Sequence, residues 1–398
     1  MLRAMRKTFI VCSASLLAAC LGRQAPNSSA ASAPGASRSS AALAPIHQVS
    51  EVPSSVVETA SEPVPGFMRG INLGNALDAP SEGAWGVTLS PRHFAMAKAA
   101  GLDHVRLPVR FSAHAQSSAP FTIDEALFKR VDFALAQAKE QGLSIIIDLH
   151  HYEELMKKPD ENAERLLGLW KQIAERYQGQ PSSVAFELIN EPCDDLKSDK
   201  LNPITQRTLA LVRKTNPTRT VFVDSYFWAD AAQLKNLELP EDPNLVPSFH
   251  NYQPVLFTHQ GMDWMPPEFQ TRGIVFPGPP AAPVTPVAAA NGTWASGWLY
   301  SYNSAPIAQN SNGPSAVFDY FKLVEAYVKA SKRRVYMGEF GVADNADPQS
   351  RQNWLHLIKT EAEKRHIGWA LWDDGGRFHA MNVQDGTWVE PVRKGLFE

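Results

Sequence analysis

Residues Ala138–His150 read AKEQGLSIIIDLH: the end of a helix, a Gly-Leu turn and a short apolar run that closes on a histidine. Residues Ala97–Val109, AKAAGLDHVRLPV, repeat that plan with the same Gly-Leu pair. Gly101 and Gly142 each fall just past a helix, where the chain needs the left-handed conformation that glycine adopts without penalty. Upstream of the second copy, Leu127, Val131, Ala134, Leu135 and Ala138 share one helical face, and Thr122 with Glu125 has the form of a capping box. That helix is a packing element, because its apolar stripe must be covered.

The same alternation of short apolar runs with longer helical stretches continues from about Pro65 to the end. It predicts eight strands, at 68–73, 104–109, 144–149, 184–189, 220–224, 246–252, 334–338 and 368–372. Eight strands with intervening helices in one stretch of this length fit a single (β/α)8 TIM barrel, an α/β fold, better than two smaller domains. A long insertion, Phe257–Pro314, interrupts the pattern after the sixth strand.

Polar and aromatic residues recur where these strands end: Arg106, His150, Asn190 with Glu191, His250 with Tyr252, Glu339 and Trp372. The first and fifth strands offer weaker candidates, Asn72 or Asn75 and Tyr226. In a barrel all such ends converge on one face, the face where active sites are built. Taken singly, a glutamate after a strand is an ordinary surface residue and a lone histidine an ordinary structural one. The common placement gives the set its meaning.

The remaining sequence bounds the class. A chain of 398 residues with 44% apolar residues and a net charge of −3 describes a globular protein without the basic stripe a polyanion would need. Residues 1–20 have the form of an export signal, with Arg3, Arg6 and Lys7 preceding an apolar run that ends Leu17-Ala18-Ala19-Cys20. That ending resembles a bacterial lipoprotein cleavage box; an ordinary export signal with an incidental Cys20 is the other reading. Residues 21–64, rich in Ser, Ala and Pro, read as a disordered tether, and 65–398 as the barrel domain. With Leu21 after the cysteine, the lipoprotein reading implies the outer membrane, facing the periplasm or the cell surface. Cys12, Cys20 and Cys193 leave one thiol in the folded part, so no internal disulfide is expected there.

Two carboxylates at a barrel mouth, one beside an amide and the other near an arginine and a tyrosine, suit glycoside hydrolysis, which needs one acid for the leaving oxygen and one ionised partner. The motifs VRLP at Val105, DLHHY at Asp148, ELINEP at Glu187, SFHNYQP at Ser248, MGEFG at Met337 and ALWDD at Ala370 together resemble glycoside hydrolase family 5, the cellulase family. The resemblance implies Glu191 as acid/base and Glu339 as nucleophile of a retaining mechanism, with the carboxyls about 5–5.5 Å apart. It implies Asn190 on the sugar 2-hydroxyl, Arg106 and Tyr252 holding Glu339 ionised, His250 supporting Glu191, His150 on the site floor, and Trp372 stacking on the sugar. The charge on Glu339 and partial burial are then expected to raise Glu191 so that it stays protonated.

The implied substrate is a β-1,4-glucan cut internally, without cofactor, by a monomer. The same chemistry on β-mannan, xyloglucan or a β-1,3-containing glucan, and a non-catalytic glycan-binding lipoprotein, stand as alternatives, because loops choose the sugar.

His150-His151-Tyr152-Glu153-Glu154 is expected to hold no metal, since neighbours along a strand face opposite ways. His151 is then a wall of the cleft or a structural residue. In the loop Gly74–Gly86, Asn75 and Trp85 are placed to meet a sugar or to pack the loop, and Gly70 and Gly74 form no phosphate cradle. Trp264, Trp294, Trp298, Tyr300 and Tyr302 of the insertion have the same two readings. Cys193 has no activating histidine beside it and reads as an idle thiol.

Overall fold

The protein is described here by a computed structural model covering residues 63–398. The expected signal segment and the tether up to residue 62 lie outside the described residues. Val64, expected in the tether, is buried among barrel residues and belongs to the domain.

Eight parallel strands close into a barrel in chain order: β1 Arg69–Asn72, β2 His104–Val109, β3 Ser144–Leu149, β4 Val184–Glu187, β5 Val221–Asp224, β6 Leu245–Asn251, β7 Tyr336–Phe340 and β8 Gly368–Leu371. The expected eight are all present, two of them with the expected bounds. Strand β4 stops at Glu187, so Asn190 and Glu191 stand in the following loop, whereas β7 runs on through Glu339. Each strand is fully buried or nearly so, which explains their continuous apolar runs.

The outward faces pack under the helices in one continuous core that includes Leu107, Ile147, Phe249 and Trp369 with Phe94, Val131, Trp170 and Trp354. Inside the barrel, Phe67, Ile146, Ala185, Phe222, Val246, Tyr336 and Ala370 form a separate apolar plug. Two residues further along the strands the composition changes. Asn72, Arg106, Asp148, Glu187, Asp224 and Ser248 make a wholly buried polar layer above that plug.

Helix Glu125–Gln141 buries the predicted stripe and ends at Gly142, φ 63°. Its expected capping box is absent: the N-cap is Asp124, while Thr122 lies in an extended segment whose carbonyl accepts the Gln116 N–H, next to the bridge between Ala115 and Ile123. After β5 the usual helix is reduced to a kinked turn, Tyr226–Ala229, and a 3-10 segment, Ala231–Asn236.

The insertion builds its own small core. Phe257, Phe269, Phe276, Leu299 and Tyr302 are buried, Trp298 stacks on Tyr302, Trp294 meets Phe269 edge-on, and the Tyr302 hydroxyl accepts the Val275 N–H. Three of its five aromatics are thus committed to packing, while Trp264 and Tyr300 remain exposed.

Candidate active site

Arg106 organises the buried polar layer. Its Nε and Nη2 make a two-point bond to Glu187 at 2.8 and 2.6 Å. Nη2 also reaches Asn190 Oδ1 at 2.7 Å and stands 3.1 Å from Asp148, and Nη1 donates to Asn72 Oδ1 and Glu339 Oε1, both at 2.8 Å. A planar guanidinium with a rigid fork of donors fixes these partners in one geometry, which a flexible ammonium does not.

Glu339 and Glu191 stand above this layer. Glu339 Oε2 accepts a hydrogen bond from the Tyr252 hydroxyl at 2.9 Å. Glu191 Oε1 lies 2.8 Å from His250 Nδ1, and its backbone, held at φ 46°, donates to Asp224 Oδ2 at 3.0 Å. One oxygen of each glutamate and a nitrogen of His250 all fall within 4.8 Å of one another. The pairing of β6 with β7 slips at Phe249/His250, so that His250 faces Glu339. Strand irregularities of this kind re-aim side chains. Gly338 completes the arrangement, because a Cβ there would sit 2.9 Å from His250 Nε2.

Five acids, Asp148, Glu187, Asp224, Glu191 and Glu339, share this region with the cations Arg106 and His250. Burial raises Asp148 well above the carboxylate range despite Arg106, and raises Asp224 to about 7. His250 overcomes its burial through Glu339, Asp224 and Glu191 and rises to about 9, so it is a cation at neutral pH. Glu339 is raised by burial against the opposing pull of His250 and Arg106. Glu191 is lowered, its burial outweighed by the hydrogen bond and charge of His250. This reverses the expected order of the two glutamates, and the reason is the imidazolium against Glu191.

His150 is neutral, held down by burial and by His151 and Arg106, and its Nδ1 meets Asp148 Oδ2 at 2.5 Å. Trp372 lies parallel to His150 with ring centres 5.7 Å apart. The Trp372 ring also rests against the backbone of Gly74, where a Cβ would come within 2.8 Å of it. His151 does not diverge from His150 as a strand neighbour would. It leaves the strand at φ 53°, and its ring meets that of His150 edge-on at 4.4 Å, within 3.8 Å of Asp78.

Trp85 meets His151 edge-on at 5.8 Å, which brings the first loop to the mouth. Asn75 ties that loop to the last one through the Asp374 carbonyl. Tyr226 donates instead to the Asp194 carbonyl, bracing the loop after β4 rather than reaching the two glutamates.

Asp78, His150 and His151 are also close enough to offer donor atoms to one metal ion. The Asp78 oxygens, however, already accept the N–H groups of Asn75 and Ala76. Glu153 lies elsewhere, paired with Arg110. Sequence reading assigned no role to Asp148, Glu187, Asp224 or His259, whose ring meets Tyr252 edge-on. The signal for Asp148, Glu187 and Asp224 was present: each is an acid inside an otherwise apolar strand, two residues beyond a residue of the apolar plug.

Comparison with known proteins bears on the fold and the family. Endoglucanase H of Acetivibrio thermocellus is 32% identical over 306 residues, 77% of this chain, and this chain spans 29% of that protein's length. A solved hyperthermophilic endo-β-1,4-glucanase in complex with substrate superposes with a TM-score of 0.73 at 32% identity, covering 84% of this chain and 97% of the other. Endoglucanase Cel5A of Thermotoga maritima superposes at 0.71 with 33% identity, covering 83% and 97%, and has been solved with mannotriose and with cellobiose. Residues 69–376, nearly the whole barrel, match the cellulase family. A closed eight-stranded barrel with paired glutamates at its mouth, matched across that span, makes this chain a member of the cellulase family, glycosyl hydrolase family 5.

Proposed function

We propose that this chain cuts internal β-1,4-glucosidic bonds by double displacement, with Glu339 as nucleophile and Glu191 as acid/base. The observation that carries the reading is the approach of their oxygens to within 4.8 Å. That distance suits direct attack, for which the carboxyls stand about 5–5.5 Å apart, and not the roughly 6.5–9.5 Å that an intervening water requires. The likeness to a solved endo-β-1,4-glucanase supports the linkage.

In the first step a Glu339 oxygen bonds to the anomeric carbon while the glycosidic C–O bond breaks. Its electron pair leaves on the oxygen, which takes a proton from Glu191. In the second, Glu191 removes a proton from water as the water oxygen displaces Glu339. Arg106 and Tyr252 direct donors to the two Glu339 oxygens, favouring the carboxylate as attacker and leaving group. With Asn190 Oδ1 engaged by Arg106 and its amide nitrogen 3.4 Å from His150 Nε2, one amide N–H is left to donate to the 2-hydroxyl. Trp372 carries the sugar ring, and His150, His151, Asn75 and Trp85 line the approach.

The lowered Glu191 and cationic His250 locate the proton of the free site on the imidazole. One transfer along the existing 2.8 Å hydrogen bond protonates Glu191, leaving His250 neutral and Glu191 ready as the acid when substrate excludes water.

Reducing-sugar release and viscosity of carboxymethylcellulose test the proposal, with Glu339→Gln beside the wild type. Release by the wild type alone, with viscosity falling early, supports an endo-glucanase using this nucleophile. Turnover by folded Glu339→Gln sinks the nucleophile, and binding without turnover by the wild type leaves a glycan-binding protein. A second polymer, β-mannan, is favoured by the mannotriose held in the Thermotoga maritima relative, and release from mannan alone would select it.

We further propose export as a lipoprotein acylated at Cys20, acting as a monomer. The Leu17-Ala18-Ala19-Cys20 run supports the anchor. Cys20→Ser should leave the membrane fraction, and unchanged fractionation would refute anchoring there; light scattering reads the oligomeric state.

A further inference from the structure

Asp224 stands at the end of β5, wholly buried, on neither glutamate side chain. Its Oδ2 nevertheless touches both halves of the acid/base unit. It accepts the Glu191 backbone N–H at 3.0 Å and stands 3.6 Å from His250 Nε2. Glu191 adopts φ 46°, a left-handed conformation that a non-glycine residue keeps only when its surroundings enforce it. The backbone bond to Asp224 is one such restraint. His250 is confined from the other sides by Gly338, by its carbonyl's bond from the Tyr320 hydroxyl at 2.8 Å, and by Glu191 at Nδ1.

We propose that Asp224 is a positioning residue for proton delivery: it fixes the Glu191 backbone and, by its charge behind His250, keeps the transferable proton on the His250–Glu191 pair. This rests on the reading of Glu191 as acid/base. The titratable groups facing His250 are Glu191 from the loop after β4, Asp224 from β5 and Glu339 from β7, with Glu187 of β4 within 4.8 Å of Asp224 and His250 and with His150, just after β3, interacting by charge. Asp224 alone among them contacts the imidazole on its Nε2 side while also holding the Glu191 backbone. The step moves one proton from His250 Nδ1 to Glu191 Oε1 and on to the departing oxygen, which leaves with the bonding pair; the imidazole is left neutral.

Asp224→Asn retains an acceptor for the Glu191 N–H and removes the charge; Asp224→Ala removes both. The test compares kcat/KM on cellotetraose, whose sugar leaving group needs a proton, with 2,4-dinitrophenyl β-cellobioside, whose phenolate leaves without one. General acid assistance is worth roughly 10²–10⁴-fold. For Asp224→Asn we expect a loss of about tenfold or more on cellotetraose and a loss at least about tenfold smaller on the activated glycoside. Between about 7 and about 9, where Asp224 is charged and His250 still cationic, the variant's basic limb on cellotetraose should move to lower pH. Equal losses on both substrates, or an unchanged rate and pH profile on cellotetraose, would overturn the proposal. If the wild type cleaves neither compound, the glycosidase reading itself fails. Should Asp224→Ala not fold, the Asn variant still decides.

Discussion

Replacing Arg106 by lysine keeps the charge and removes the fork. The guanidinium makes five hydrogen bonds to Glu187, Asn190, Asn72 and Glu339, all wholly or nearly buried, and an ammonium has three N–H donors on one atom. At least two acceptors are therefore abandoned out of reach of water. Each costs about 1–3 kcal/mol, and more where the acceptor is a carboxylate. We expect Arg106→Lys to destabilise the fold by about 3–5 kcal/mol at pH 8.

The dependence on pH follows from the same layer. A carboxyl that loses its arginine is neutralised by binding a proton in the native state but not in the unfolded chain, so the variant's stability falls as pH rises. The deficit should accordingly shrink on acidification, by up to about 1.4 kcal/mol per pH unit for one such carboxyl. Urea unfolding of wild type and variant at pH 5 and pH 8 reads both quantities. A cost below about 1 kcal/mol at pH 8, or a cost that grows at pH 5, would refute the claim that the Arg106 fork, beyond its charge, holds the buried acids in place.

Two further substitutions probe the mouth. Gly338→Ala inserts a Cβ 2.9 Å from His250 Nε2 and 3.0 Å from Ser248 Oγ; displacement of the ring by a fraction of an ångström or more should lower kcat/KM by about 10²-fold, and a rate within a few-fold of wild type would show that His250 has room to move. Tyr252→Phe removes a hydroxyl that favours ionised Glu339, so the acid limb of kcat/KM should move up by roughly one pH unit, and an acid limb that stays in place would remove Tyr252 from that role.

The barrel was legible because its determinants are local. Apolar strands, helical stripes and glycines past helix ends such as Gly142 are each fixed by a few neighbouring residues, and their chain order is the barrel order. The mouth was legible because strand ends converge in this fold. The buried layer beneath it was not fully read: an acid inside an apolar strand marks Asp148, Glu187 and Asp224 locally, but what each one does depends on partners as distant in sequence as Arg106 and His250. The capping box failed for a related reason: Thr122 is held in an extended segment by Gln116, a contact that the local capping pattern does not contain.

The proton order of Glu191 and Glu339 is the most instructive case. Their sequence motifs specify two carboxylates and a neighbouring histidine, and a pairwise argument then assigns the proton to Glu191. With four buried acids, the part-exposed Glu191 and two buried cations in contact, the proton instead goes where most opposing charges converge, and that is His250, faced by Glu339, Asp224 and Glu191. On the proposed roles, the acid/base is thereby a hydrogen-bonded pair rather than a single side chain. Asp224, on the proposed reading, sets the proton affinity of that pair from behind, through β5, while lying on neither glutamate side chain.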